Sequence, residues 1–227
     1  MKQMNRIIVA WLKVWLYGLA GIGAMLLVIL IVKWNQFDWN IRLSMMAIMA
    51  ITIHVWEEER LPGGFTYMFN TLQKSDKPER YPMNEFIAMA VDYSTVFVFI
   101  AILIMSKGTA WFGISLALFC CLEATIHIVT GIISLRKYRH KGKRTTYVPG
   151  AASALLGFLP IAVGLYYYLL ANDLVTGKDW LIGAAVAVLV LATTVKGLEA
   201  ILKDKDSPYV APAKYRIGYF EKFVDEL

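Results

Sequence analysis

Ile53-His54-Val55-Trp56-Glu57-Glu58-Glu59-Arg60-Leu61-Pro62-Gly63-Gly64-Phe65 closes an apolar run with a histidine, three carboxylates and a Pro-Gly-Gly break. On a helix, His54 stands one turn from both Glu57 (i+3) and Glu58 (i+4), so three ligand-type side chains share one face. The apolar part of the run, residues 43–56, is too short to cross a hydrocarbon core of about 30 Å. Adding Ile41, Arg42 and the His-Glu-Glu segment brings it to about 20 residues, which draws the acidic cluster into the membrane thickness.

The rest of the chain makes a membrane the main solvent. The hydrophobic fraction is 58% and the mean hydropathy +0.55, with the excess gathered in long uninterrupted runs. The expected fold is an all-α polytopic membrane protein, a six-transmembrane-helix bundle with spans at about 12–32, 41–60, 84–106, 109–135, 148–171 and 180–202, followed by a tail at 203–227. The basic start before the first apolar run lacks a small-residue cleavage pattern and is read as leading into a retained first span. Cys120 and Cys121 are adjacent in one run and are not expected to bridge each other.

Charge sets the expected orientation in a cell (plasma or inner) membrane. Arg136, Lys137, Arg139, Lys141, Lys143 and Arg144 crowd the loop after the fourth span. With six spans, that loop, both termini and the segment after Arg60 share a side, which collects most of the Lys and Arg and is therefore cytoplasmic. The net charge of +6 then reads as contact with anionic membrane lipids rather than with nucleic acid. Residues 65–69 suit a short interfacial helix, residues 73–80 a hydrophilic loop, and the tail is expected on the cytoplasmic surface.

Ionisable side chains within spans are costly and mark candidate sites. They are His54, Glu57 and Glu58 on the second span, Glu85 and Asp92 on the third, Glu123 and His127 on the fourth, and Lys196 and Glu199 on the sixth. Asp92 and His127 each lie about 12 Å from the cytoplasmic end of their span, so four helices are able to direct polar groups into one inner-leaflet pocket. Plainer roles compete: Glu85 as a helix-start partner, Glu59 and Arg60 as a solvated end, Lys196 and Glu199 as a mutual pair. Pro160 reads as a kink, and Gly150, Gly157 and Gly164 at intervals of seven as a close helix contact. Ser153 has no evident base beside it.

The combination His54-x-x-Glu57-Glu58, Pro62-Gly63-Gly64-Phe65, Asn70, the His127 span, Tyr147-x-Pro149-Gly150 and Leu159-Pro160 resembles the HXXEE family of integral membrane proteins. The resemblance covers about residues 45–165. It implies that His54, Glu57, Glu58 and His127 matter and suggests a catalytic or metal site, without supplying a reaction.

Imidazoles and carboxylates in this number suit zinc, with iron or manganese as alternatives, in an open catalytic site. The expected metal ligands are His54, Glu57 and His127, with Glu123 or Asp92 as a further ligand or as a partner orienting an imidazole. Glu58 is the expected general base, acting on a water activated by the metal. A lipid-like substrate entering sideways would meet ester, amide or phosphoester hydrolysis at zinc, or oxidation at two irons. The alternatives are a proton- or cation-coupled transporter, a heme- or quinone-linked subunit with His54 and His127 as axial ligands, and a scaffold held by buried ion pairs.

Overall fold

Asp38 starts the helix that carries the histidine: its carboxylate accepts from the Ile41 amide, and the helix then runs 21 residues to Glu59. In the computed structural model, which describes residues 5–224, the chain is all-helical, with no strand among the described residues. A short α1 (Arg6–Leu12) leads into α2 (Trp15–Val32). Next come α3 (Trp39–Glu59), α4 (Phe65–Leu72), α5 (Glu85–Ser106) and α6 (Ala110–Tyr138). Two further long helices, α7 (Ala151–Ala171) and α8 (Gly177–Leu202), precede a tail with a short helix, α9 (Ala213–Arg216), and a 3-10 helix, Gly218–Phe223. The first four residues of the basic start and the last three of the tail lie outside the described residues.

Five helices, α2, α5, α6, α7 and α8, are long and apolar enough to cross a membrane. The helix expected as the second span, α3, forms over its full expected length, yet its Arg42, His54 and acidic end leave it less apolar than those five. It is instead the most enclosed strut: α3 packs against α2, α5, α6 and α7. Its Ala47, Ile48 and Val55 are buried in the main core with Trp15, Phe99, Phe112 and Phe158.

Local chemistry explains where the helices stop. Gly63 and Gly64 adopt positive φ (+76° and +97°) after Pro62, ending α3 in a turn open to glycine alone. A Cβ on Gly64 would fall 2.2 Å from the Ile217 carbonyl oxygen, because the tail folds back onto this turn. Asn84, not Glu85, caps α5, accepting from the Phe86 and Ile87 amides. In α7 a π-helical stretch, Ala154–Phe158, lies just before Pro160. The missing proline N–H thus coincides with a widened turn. Gly157 and Gly164 do face α3, opposite Ala50 and Leu43.

The tail does more than lie on a surface. Lys143, only 1% exposed, donates from Nζ to the Tyr147 carbonyl (2.5 Å) and to the Tyr219 hydroxyl (3.0 Å), and sits 4.5 Å from the Tyr219 ring centre. Tyr138, Phe220 and Phe223 complete this aromatic cluster. Asn70, fully buried, bonds Pro78 and Met83 and so pins the hydrophilic loop to α4. Cys120 and Cys121 are both free.

Candidate functional site

Three segments meet where the His-Val-Trp-Glu-Glu stretch ends: the last turns of α3, the middle of α6 and the first turn of α7. From α3 and α6 come two imidazoles in edge-to-face contact, the ring centres of His54 and His127 lying 4.8 Å apart. Both side chains are buried. Glu58 Oε1 stands 3.3 Å from Nε2 of His54 and 3.3 Å from Nε2 of His127. Neither approach has hydrogen-bond geometry, so both Nε2 atoms are buried without a hydrogen-bond partner among the described residues. Glu123 reaches the same point from one turn along α6, its Oε2 4.0 Å from His127 Nε2. Ligand atoms of His54, Glu123 and His127 all fall within 4.8 Å of one another.

Glu57 lies elsewhere. Its Oε2 accepts from the Ser153 amide (2.7 Å) and the Ser153 hydroxyl (2.5 Å), and its Oε1 from the Ala152 amide (3.1 Å) and the Tyr147 hydroxyl (2.9 Å). The first turn of α7 leaves amides without intrahelical acceptors, and a carboxylate from α3 satisfies two of them at the positive end of the helix dipole. Burial first, and the Glu57 carboxylate second, push the Tyr147 phenol upward, which keeps it a hydrogen-bond donor. Spacing alone put Glu57 and Glu58 on one face with His54; the neighbouring helix decides that Glu58 turns to the imidazoles and Glu57 to α7.

Ser153 connects the two halves. Its Oγ lies 2.9 Å from Nδ1 of His54, so the expectation that it has no base nearby is corrected. Because the Ser153 hydrogen goes to Glu57, its oxygen is left to accept, and Nδ1 of His54 must be the protonated nitrogen. The Nε2 lone pair then points toward Glu58 and His127. A partner on one imidazole nitrogen that frees the other for a ligand is how proteins orient metal-binding histidines.

Gly150, expected as part of a helix contact, belongs to the site. It has φ +90°, and a Cβ there would fall 2.3 Å from Cε1 of His127 and 2.9 Å from Cε1 of His54. The bare Cα lets both rings pack beneath the start of α7. Positive φ at a glycine is not written in any helical period, and only the Pro149-Gly150 pair hinted at a turn. Phe158 and Phe65 flank the rings at 4.8 and 5.5 Å between centres.

Other expected residues are placed as follows. Asp92 on α5 makes no direct contact with the imidazoles but lies within electrostatic reach of Glu58, Glu59 and Glu123. Glu59, expected in solvent, is buried and accepts from Thr66 Oγ1 at 3.1 Å. Arg60 pairs through Nη2 with Glu85, which also accepts from the Trp15 indole at 3.2 Å. The solvated-end reading of Glu59 and Arg60, and the capping reading of Glu85, are therefore replaced by a buried polar layer beside the site. Lys196 and Glu199 pair with each other at 2.8 Å, with Lys196 over the Phe69 ring.

The donor set fits a first-row divalent ion. In a tetrahedral zinc site with bonds of about 2.0–2.1 Å, neighbouring ligand atoms stand about 3.3 Å apart. Glu58 Oε1 keeps that spacing to both imidazole nitrogens. Neutral nitrogen and carboxylate oxygen donors suit zinc, iron or manganese.

Comparison with curated proteins and with solved structures gives no match. A family model described as a protein of unknown function with HXXEE motif matches residues 45–165, more than half of the chain and every residue of the site just described. His54, Glu57 and Glu58 are the motif itself, and the chain belongs to the HXXEE family.

Proposed function

We propose that the protein is a metal-dependent integral membrane enzyme acting on a lipid-like or otherwise membrane-soluble substrate. One observation carries this reading: two buried imidazole Nε2 atoms, neither hydrogen-bonded, converge on a single carboxylate oxygen at 3.3 Å each. Buried polar atoms are ordinarily satisfied, and two buried ring nitrogens without partners among the described residues, directed at one point, are the preparation for a cation. His54, His127, Glu58 and Glu123 would hold it, zinc first by donor set and iron or manganese next. When bound, such an ion supplies Lewis-acid polarisation of a carbonyl or phosphoryl oxygen.

The remaining chemistry belongs to the chain. Glu57 takes the Ser153 hydrogen, Ser153 fixes the His54 tautomer, and Gly150 leaves space for both rings. Asp92, on α5 within electrostatic reach of the same acidic group, is the carboxyl available for proton transfer. With α3 counted as a sixth crossing, both termini and the basic loop at 136–144 lie on the cytoplasmic side of a cell membrane. The site then lies at the level of the inner leaflet, where a substrate with an acyl or isoprenoid tail is concentrated.

Metal analysis of protein purified without chelator tests this reading. Wild type is expected to carry close to one equivalent of a transition metal, and His54→Ala and His127→Ala to lose most of it. Metal-free wild type overturns the proposal. A heme between the two histidines is disfavoured by their edge-to-face contact, which leaves no gap for a macrocycle. A proton-relay role has the buried Glu59 and Glu85 and the half-buried Asp92 in its favour, and proteoliposome proton flux abolished by Asp92→Asn would support it over the enzyme.

A further inference from the structure

On the opposite side of α3 from the histidines, about 200° around the helix from His54 to Trp56, two openings adjoin. The first is a cavity of about 500 Å³ at the level where α1 gives way to α2, and Lys13, Leu16, Tyr17, Trp56, Arg60 and Arg216 are among its walls. The second is an almost wholly apolar groove of about 300 Å³ between α2 and α3, bordered by Ala20, Ala24, Leu27, Met49, Ile53 and Trp56. Trp56 lines both, its ring in edge contact with Tyr17 at 5.2 Å.

The lining residues follow each helix as one stripe. On α2 they step through positions 16, 17, 20, 23, 24 and 27, and on α3 through 49, 52, 53, 56 and 60. These are i+3 and i+4 spacings, so the two openings form one track some 16 Å long, at 1.5 Å per residue. Small side chains at 20, 23 and 24 make the lower part of the track. A Cβ on Gly23 would meet Thr52 Oγ1 at 2.5 Å, which keeps the helices close below the groove.

Charge is concentrated at one end. Lys13, Arg60 and Arg216 face the upper cavity, with Glu85 as the opposing carboxylate. Glu85 is already engaged by Arg60 and Trp15. Arg216 is fixed by its Nε donating to the Ala211 carbonyl at 3.1 Å, and the Lys13 ammonium has no partner among the described residues. An excess of cation, aromatic walls and an apolar slot directly below match a molecule with an anionic head and a hydrocarbon tail.

We propose that the α2–α3 seam binds one anionic glycerophospholipid, its phosphate at Lys13, Arg60 and Arg216 and one acyl chain in the groove beside Ala20, Ala24 and Ile53. The site is separate from the His/Glu cluster and independent of the enzymatic reading. Bound there, the lipid bridges α1, α2, α3 and the C-terminal tail, whose residues 208–212 form part of the cavity wall.

Native mass spectrometry of the full chain in mild detergent tests it, with added dioleoyl phosphatidylglycerol, dioleoyl phosphatidylcholine or inorganic phosphate. Wild type is expected to keep a single phosphatidylglycerol at an activation energy that strips phosphatidylcholine. Lys13→Glu is expected to weaken that adduct about tenfold or more, and Ala24→Phe to remove it by filling the groove. Both positions are exposed, so neither change disturbs the core, and circular dichroism and metal content should match wild type. Inorganic phosphate should not displace the lipid, since it lacks the tail. Equal retention of the two lipids, or an adduct unaffected by Ala24→Phe, overturns the proposal. Displacement by phosphate also overturns it and leaves a simple anion site.

Discussion

Ser153 meets Nδ1 of His54 at 2.9 Å while its own hydroxyl hydrogen is drawn to Glu57 at 2.5 Å. A residue 99 positions away from His54 thus fixes which imidazole nitrogen is free. Replacing Ser153 by Ala should leave the fold intact and lower metal affinity about 10–100-fold. Competition against a chromogenic chelator measures it. Affinity equal to wild type would mean that Ser153 does not orient the ring.

Gly150→Ala combines two penalties at one atom: a Cβ 2.3 Å from Cε1 of His127 and a φ of +90°. Destabilisation on the order of 1–3 kcal/mol is expected, with loss of bound metal before loss of helix. Thermal unfolding in detergent, followed by circular dichroism alongside metal content, separates the two. A variant as stable and as metal-loaded as wild type would show that the rings have room to move.

Acidification should release the metal. Protons compete with it for the imidazole lone pairs, so occupancy is greatest at alkaline pH and falls as pH drops. Equilibrium dialysis at fixed free metal between pH 8 and 5 gives the profile. Occupancy flat down to pH 5 would argue against histidine ligation.

Lys143→Ala empties a cationic position held by the Tyr147 carbonyl and the Tyr219 hydroxyl. Hydrogen bonds to a charged group contribute about 1.5–3 kcal/mol each at most, and their loss should loosen the tail on the 63–64 turn. Limited trypsinolysis should then cut at Lys214 and Arg216 several times faster than in wild type. Unchanged cleavage would place the hold on the tail in Phe220 and Phe223 instead.

Much of the fold was legible because apolar runs of about 20 residues have few alternatives: each run expected as a span forms a helix, and five of these, α2, α5, α6, α7 and α8, are long and apolar enough to cross a membrane. Periodicity also put Glu58 one turn from His54, and Glu123 one turn from His127. What it could not decide was which of Glu57 and Glu58 faces the second histidine. That choice depends on the amides of Ala152 and Ser153, nearly 100 residues downstream. Gly150 was misread as a helix contact because its role lies in backbone φ. Glu59 and Glu85 looked like helix-end charges until Thr66, Trp15 and Arg60 closed over them.

The widened turn at Ala154–Phe158 has a consequence for how this helix tolerates change in length. A π turn holds one residue more than an α turn, so deleting a single residue there would restore ordinary winding without breaking the helix. Because the widened turn spreads that extra residue over nearly the rotation and rise of four α-helical residues, everything before it would keep its orientation relative to everything after. Gly164 would keep its seat against α3, and Ser153 and Gly150 would stay beside His54 and His127. A single deletion at 154–158 is therefore expected to be absorbed with site and packing both in register, whereas the same deletion in the regular winding at 159–171 would turn one against the other by about 100°.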